Sequence, residues 1–591
     1  MGGWTRRGVR AVVLLAMGLA ALAGPAALAA PRAGAAAAVV PDVYGPGILM
    51  AFSGLDGQTF STVPFLASTN GEGIAFKFHL PRDPIVSITL PEGVKPAWRV
   101  VANDLLVADV PGDAVPLVVG LPSALVMVGR LPRGARVALR GGDTNAVLLR
   151  RAVGDRTVFA FSYDPAGAKA SADAASRGLN VSIETLVEGR TDFFASAPQA
   201  PDGTPPERVR TLAKAFSVLK ANVLAAEAPV SVRWATPCRW PQGTMRLWGS
   251  AFAAVGLMHL DLPLAKEVLE AVCESQGDDG FIAERLGPGQ TAEISQPPML
   301  AWAAWQVYTF DQRRDRDFLK RSYDVAAKHA TWFLKKRRLE GEPPPNRPLE
   351  YGTPLYAWTS AEESGAPGSP RFAGGAAFAA VDLSCYLVSE CRTLQAMAQR
   401  LGYRELAKTW GQRGDALAAA ASKHLWNAER GLFTDRKPDG DVIDVRSYAG
   451  LLPLWAGIAT EDQAARLKGQ IASGTFKAAA GVPTIATDDP AYKKDGWSGP
   501  AWPVVNYLVV RGLERYGFAA EAADLRGRSL DAVARTYVRT GVLWEFYDAA
   551  GEAVPAELGS SGGEAGGPAG PLADYAPTAA VFADLMLRLK P

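Results

Sequence analysis

The chain has 591 residues, 48% hydrophobic and 21% charged, so it is long enough for two ordered domains and too apolar to be disordered. Sixty-two basic residues against 60 acidic ones leave a net charge of +2, which gives no footing for nucleic-acid or polyanion binding. Four histidines and four cysteines, with no Cys/His cluster among them, argue against a metal centre, and no motif asks for a cofactor.

In chain order, "TRRGVR" is a positive leader, "AVVLLAMGLAALAG" an apolar run too short for a membrane span, and "ALA" at 27–29 offers small residues for cleavage. Residues 1–35 therefore read as a signal peptide. Arg6-Arg7 admits a twin-arginine signal, but its flanks fit ordinary secretion better. The mature protein is expected in the periplasm or outside the cell, with no stable membrane insertion after signal removal.

Residues 40–200 read as a β-sandwich domain. "GIAFKFHL", "SITLP", "RVVANDLLVADV", "LVMVGRL", "RVALRGG", "AVLLRRAV" and "TVFAFSY" are short apolar or alternating runs, punctuated by Gly, Pro, Asp and Asn. "SADAASRG" reads as a brief helix among them. A Pro-rich stretch, "SAPQAPDGTPPER", closes the segment.

From 207 to 589 the periodicity is helical. Leu319, Tyr323, Ala326, Ala330 and Phe333 form one stripe, and Leu383, Leu387, Cys391, Leu394, Ala398 and Leu401 another. Gly402, Gly517 and Gly541 stand as helix stops. Ten to twelve such helices in hairpins, with no fixed repeat, suggest a closed toroid with its loops gathered at one end. Cys385 and Cys391 share a helix and cannot bridge well, whereas Cys238 and Cys273 could pair or stay as buried thiols. The 15 tryptophans suit flat sugar-binding surfaces as well as a core.

Six segments then point one way, in order: "RLWGSAFAAVGLMHLDLPLAKEVLEAV" (246–272), "SQGDDGFI" (275–282), "ISQPPMLAWAAWQVY" (294–308), "DLSCYLVSECRTLQAMAQRLG" (382–402), "GWSGPAWPVVNYLVVRGLERYG" (496–517) and "LWEFYDAAGE" (543–552). Together they resemble the family 63 glycoside hydrolases and the related family 37 trehalases, the mannosylglycerate-hydrolase-like branch above all. The resemblance implies an α+β multidomain protein in which an (α/α)6 barrel, the six-hairpin toroid, follows the sandwich. It implies an exported glycosidase acting on α-linked glucosides or mannosides with inversion, its partner being a carbohydrate.

An inverting glycosidase needs an acid to protonate the leaving oxygen and a base to activate water on the opposite sugar face. By resemblance the base is Glu545, and Trp248, Gln296, Arg371, Trp497, Trp502 and Asn506 fall at substrate-binding positions. Gln296 is equally a candidate helix cap. The acid loop of the family reads Glu-Ser-Gly-x-Asp-x-Ser-Pro-Arg, and here Glu363-Ser364-Gly365-Ala366-Pro367-Gly368-Ser369-Pro370-Arg371 stands in that register. Pro367 occupies the place of the proton donor and has no ionisable group. Two further departures are Gly249, where relatives carry Asp, and Pro577, where a pocket Trp is common. Glu363 and Glu362 are the candidates for a substitute acid or a substrate holder, with Asp382 behind them. Three functions stay open: a glycosidase with a remodelled pocket, a catalytically silent glycan-binding or envelope assembly protein, and a polysaccharide lyase.

Overall fold

The computed structural model describes residues 38–52, 65–71, 73–287, 290–339, 354–561 and 570–588. The expected signal peptide lies outside these residues, as does most of the glycine-rich insert at 559–570. From Val39 onward the chain is one compact unit.

Eleven strands come first: β1 (Leu49–Ala51), β2 (Leu66–Thr69), β3 (Ile74–Phe78), β4 (Ile85–Thr89), β5 (Ala97–Ala102), β6 (Leu105–Asp109), β7 (Leu117–Ser123), β8 (Val126–Leu131), β9 (Arg136–Arg140), β10 (Ala146–Val153) and β11 (Arg156–Tyr163). They form a five-stranded sheet, β1-β2-β3-β4-β9, and a six-stranded sheet, β10-β11-β8-β7-β6-β5. The sheets meet through aromatic rings, Phe78 of β3 lying 4.6 Å from Phe161 of β11. "RVVANDLLVADV" is the β5–β6 hairpin, turning at Asn103-Asp104. Its Val101 and Leu106 join the core shared with the other sheet, whereas Val100 and Leu105 pack with Ala174, Ala175 and Leu186 on the opposite face. Both faces of the larger sheet are covered at its inner strands, so β6, β7 and β8 read as near-continuous apolar runs.

The covering layer is helical: α1 (Ala168–Gly178) holds the expected brief helix "SADAASRG", and α2 (Ile183–Ser196) corrects the expected strand character of the end of this segment. The Ser182 hydroxyl caps α2 by accepting from Thr185 N.

The remaining helices are α3 (Pro206–Ala221), α4 (Leu247–Leu260), α5 (Leu262–Glu274), α6 (Leu300–Phe310), α7 (Arg316–Lys336), α8 (Val381–Leu401), α9 (Arg404–His424), α10 (Pro453–Ala456), α11 (Glu461–Ala472), α12 (Pro503–Arg515), α13 (Ala519–Thr540) and α14 (Ala576–Leu587). Packing runs from α4 to α6, α8, α10, α12 and α14, and α14 returns to α4. The alternate helices α3, α5, α7, α9 and α13 each pack against one or two members of that circuit. The division shows in composition. Residues 247–258 of α4 and 576–586 of α14 are buried all round, as their largely apolar sequences require, whereas α7 and α13 bury one stripe. Both stripes expected on α7 and α8 are buried. Gly402 and Gly541 end α8 and α13 at φ +87° and +72°, a conformation side chains resist.

Rings fill the space inside the circuit. Trp302 of α6 lies 5.7 Å from Phe252 of α4 and 6.3 Å from both Trp455 of α10 and Tyr507 of α12. Where sheets meet helices, Lys214 of α3 and Asp574 form a fully buried ion pair at 3.0 Å. The Asp574 carboxylate also accepts from Asn103 Nδ2, Leu49 N and Leu543 N, so β1, the β5–β6 turn and the segment leading to Glu545 share one anchor. Among the described residues, no helix is long and apolar enough to cross a membrane.

Candidate active site

A cavity of about 1030 Å³ opens where α4, α6, α12 and α14 begin. Its wall comes from the segments that precede those helices, joined by the 362–367 loop and Glu545. Long connections into buried helices gather at this end, and their polar residues are freed from core packing.

Of the residues expected at a site, Trp248, Gln296, Glu362, Trp497, Trp502 and Glu545 line this cavity, and so do Gly249 and Pro367. Trp497 and Trp502 stack at 3.8 Å, Trp502 stacks on Phe546 at 5.0 Å, and Trp502 Nε1 donates to Gly496 O. The stack is thereby fixed and shows the cavity little of its surface. Gln296 proves to be a cap, its Oε1 accepting from Trp248 N in the first turn of α4 at 2.9 Å. Trp248 Nε1, Thr244 Oγ1 and Gln242 Oε1 all belong to wall residues and are buried without a protein partner. Such groups are costly to leave unmet and are natural contacts for a polar ligand.

Glu545 sits on a short stretch paired with 572–575. Its amide donates to Leu572 O, its Oε2 accepts from Leu572 N at 3.2 Å, and Tyr575 N donates to Leu543 O. Two further carboxylates on the wall, Glu284 and Glu293, are not among the residues the sequence singles out. They flank the small hairpin 285–291 and belong to no motif; only their acidity in a loop before a buried helix could have marked them. Glu284 forms an ion pair with Arg246 and lies 3.9 Å from Arg285 Nε.

The 360–372 loop is tightly built. Ser369 N donates to Ala366 O, and Gly368 has φ +76°, so Ala366-Pro367-Gly368-Ser369 is a type II turn with proline and glycine at its two centres. Pro367 thus faces the cavity on a closed turn. At Gly249 a Cβ would lie 2.5 Å from Pro237 Cγ, so the proline ring fills the space where a side chain would begin.

Three expected site residues are not on the wall, and the structure assigns their polar groups elsewhere. Glu363 is fully buried, its carboxylate held by Arg337 Nε and Nη2, Thr359 N and Oγ1, and Ser295 N. It clamps the loop to the end of α7. Arg371 is fully buried between Asp382 (2.5 and 3.0 Å) and Asp435 (both 2.9 Å). Burial alone would lower the Arg371 pKa, but the two carboxylates hold it well above its usual value. Asn506 accepts from Val482 N and donates to Ala480 O and Ser529 Oγ, tying α12 to a loop and to α13. Asp382 is buried with Arg371 and Trp358 Nε1 and is off the wall too. Pro577 lies in the first turn of α14. All four cysteines are free; the Cys238 thiol donates to Trp240 O and burial pushes its pKa up.

Two sheets beside a circuit of buried helices, with tryptophans and carboxylates at its mouth, is the arrangement of a helical glycoside hydrolase. The chain belongs to that class through one family: the profile of the mannosylglycerate hydrolase MGH1-like glycoside hydrolase domain matches residues 243–561. The mannosylglycerate hydrolase of Thermus thermophilus is 26% identical over 407 residues, 57% of this chain and 94% of that protein. Mannosylglycerate hydrolase MGH1 of Selaginella moellendorffii is 30% identical over 134 residues, 22% of this chain, and the match spans only 26% of that relative's length. Among solved structures, a GH63 mannosylglycerate hydrolase from Thermus thermophilus in complex with glucose has a TM-score of 0.50 at 24% identity, covering 63% of this chain and 98% of that one. That likeness speaks to the fold.

Proposed function

We propose that this chain is an exported glycoside hydrolase-like protein that takes α-linked glucosides or mannosides into the cavity at the mouth of an (α/α)6 barrel. The circuit from α4 to α14 supports the barrel, and the leader before residue 36 supports export. The observation that carries the reading is Glu545 on the wall beside Trp248, Trp497 and Trp502. Glu545 serves as the base that activates water for an inverting displacement, and Gln296 Nε2 and Trp248 Nε1 meet sugar hydroxyls.

Pro367 stands where the family places its general acid, so protonation of the leaving group is the missing step. Glycosides whose aglycone leaves without a proton remain open to hydrolysis. The test is a leaving-group series at pH 6–7: α-glucosyl and α-mannosyl fluorides, 4-nitrophenyl glycosides and methyl glycosides. Turnover of fluorides with methyl glycosides slower by about 10²–10⁴-fold beyond the difference seen with an enzyme that has its acid supports the reading. Equal handling of all leaving groups sinks the Pro367 assignment. The closed turn at Pro367 also favours a second reading, a silent glycan-binding or assembly protein on the same barrel. Sugar binding with no turnover of any member of the series selects it.

A further inference from the structure

We propose that the cavity selects by charge, accepting uncharged or amino-bearing glycosides and turning away glycosides that carry a carboxylate, a narrowing that rests on the carbohydrate reading above. Among the described lining residues, Glu284, Glu293, Glu362 and Glu545 are acidic, Arg246 and Arg285 are basic, and none is lysine or histidine. Both guanidiniums lie against the single carboxylate of Glu284. Glu293 and Glu362 are exposed on the wall. The cavity therefore carries a net negative charge, and a concave, partly desolvated wall concentrates its field.

The starts of α4 and α6 do not reverse that sign. The start of α4 donates Trp248 N to Gln296 Oε1. The start of α6 donates Ala301 N and Trp302 N to the buried Glu390 carboxylate. At these two starts the amides that could have gripped an anion are thus occupied.

The unmet groups on the wall have the complementary chemistry. Trp248 Nε1 is a donor, Gln242 Oε1 an acceptor, and Thr244 Oγ1 can act as either. Trp248 and Thr244 are only 7% and 5% exposed, so these atoms are placed for a ligand rather than bulk water. The set suits hydroxyls. A protonated amine fits the acidic wall as well, whereas a carboxylate finds only the Trp248 and Thr244 donors among these groups and meets repulsion from the glutamates. The substrate named for the Thermus relative, mannosylglycerate, ends in a carboxylate; the wall of this chain points away from such a ligand.

Binding, which needs no turnover, tests this. Tryptophan fluorescence of the full chain at pH 7 would be titrated with methyl α-D-glucopyranoside, its 2-amino-2-deoxy analogue and its uronate, in low salt and in about 0.5 M NaCl. The uronate is expected to bind at least about tenfold more weakly than the neutral glycoside in low salt, with the gap narrowing in high salt. The exposed double variant Glu293→Gln/Glu362→Gln should narrow the gap in low salt. Uronate binding equal to or tighter than the glucoside overturns charge selection alone. So does a gap indifferent to the double variant. A protein that binds none of the three overturns the carbohydrate reading, and this inference with it.

Discussion

Glu545 and Leu572 hold each other by two hydrogen bonds, the Glu545 amide on the Leu572 carbonyl at 3.0 Å and the Leu572 amide on Glu545 Oε2 at 3.2 Å. The side chain at the cavity is therefore oriented by the backbone of the segment beside it, and Asp574 anchors that segment to the sheets. Glu545→Gln keeps an acceptor for Leu572 N and removes the base. Turnover of glycosyl fluorides is expected to fall about 10²–10⁴-fold with KM little changed. Unfolding in urea should move by no more than about 0.5 kcal/mol. A fall in activity that tracks a loss of stability would count against the assignment.

Pro367 is replaceable without dismantling its loop. The turn depends on Gly368 at φ +76° and on the Ser369 N to Ala366 O bond, and neither needs proline at 367. Pro367→Asp is expected to cost about 0.4–1 kcal/mol through the freer unfolded chain. It should also place a carboxyl on the cavity wall and raise hydrolysis of methyl glycosides by about 10²-fold or more relative to fluorides. A folded variant whose leaving-group profile is unchanged would show that position 367 is not the acid position.

Gly249 and Pro237 form a second matched pair. The projected Cβ at 249 meets the Pro237 ring at 2.5 Å, and a proline ring cannot swing aside. Gly249→Ala is expected to destabilise the chain by about 1–3 kcal/mol, as overpacking does. Adding Pro237→Ala should return most of that loss, which thermal melting of the four proteins in the cycle would measure. Independent, additive effects would mean that the clash is relieved elsewhere.

Arg371 separates a binding role from a structural one. Its guanidinium is fully enclosed by Asp382 and Asp435. Arg371→Met should leave two buried carboxylates uncompensated and cost about 3–5 kcal/mol of stability in urea unfolding. A variant of unchanged stability that merely binds sugar more weakly would restore the substrate-binding role.

These pairs also show where the sequence stops being legible. Amphipathic stripes, glycine stops and the loop motifs foretell the helices and which loops meet, because periodicity and turn chemistry are local. Motif membership does not separate the wall of the site from its backing. Trp248, Trp502 and Glu545 face the cavity, while Arg371, Glu363 and Asn506, from the same motifs, hold loops together behind it. A buried ion pair is marked in sequence as strongly as a ligand contact, and only the fold assigns its partner. Glu284 and Glu293 escape for the opposite reason: nothing local distinguishes a glutamate beside a cavity from one in solvent. The helix α2, unlike α1, falls within a segment that reads as strands, since the apolar residues that cover a sheet resemble those of the sheet itself.

His329 gives a pH signature. On α7 it is fully buried, one ring nitrogen donating to Gly280 O at 3.0 Å, the other without a partner. Burial lowers its pKa from 6.5 to about 4. The unfolded chain therefore takes up a proton near pH 6.5 while the folded chain stays neutral until about pH 4. Stability from this group is complete above pH 6.5 and falls as pH drops toward 4, by about 3 kcal/mol in all. The half-buried His79 shifts the same way, to about 4. Glu390 opposes both: burial raises it to about 7, so its contribution is greatest below pH 4.5 and declines as pH rises to 7. Comparing wild type with His329→Gln isolates the single group. Urea unfolding at pH 7 and pH 4.5 should show a smaller drop in the variant, and an equal drop in both would place the proton uptake elsewhere.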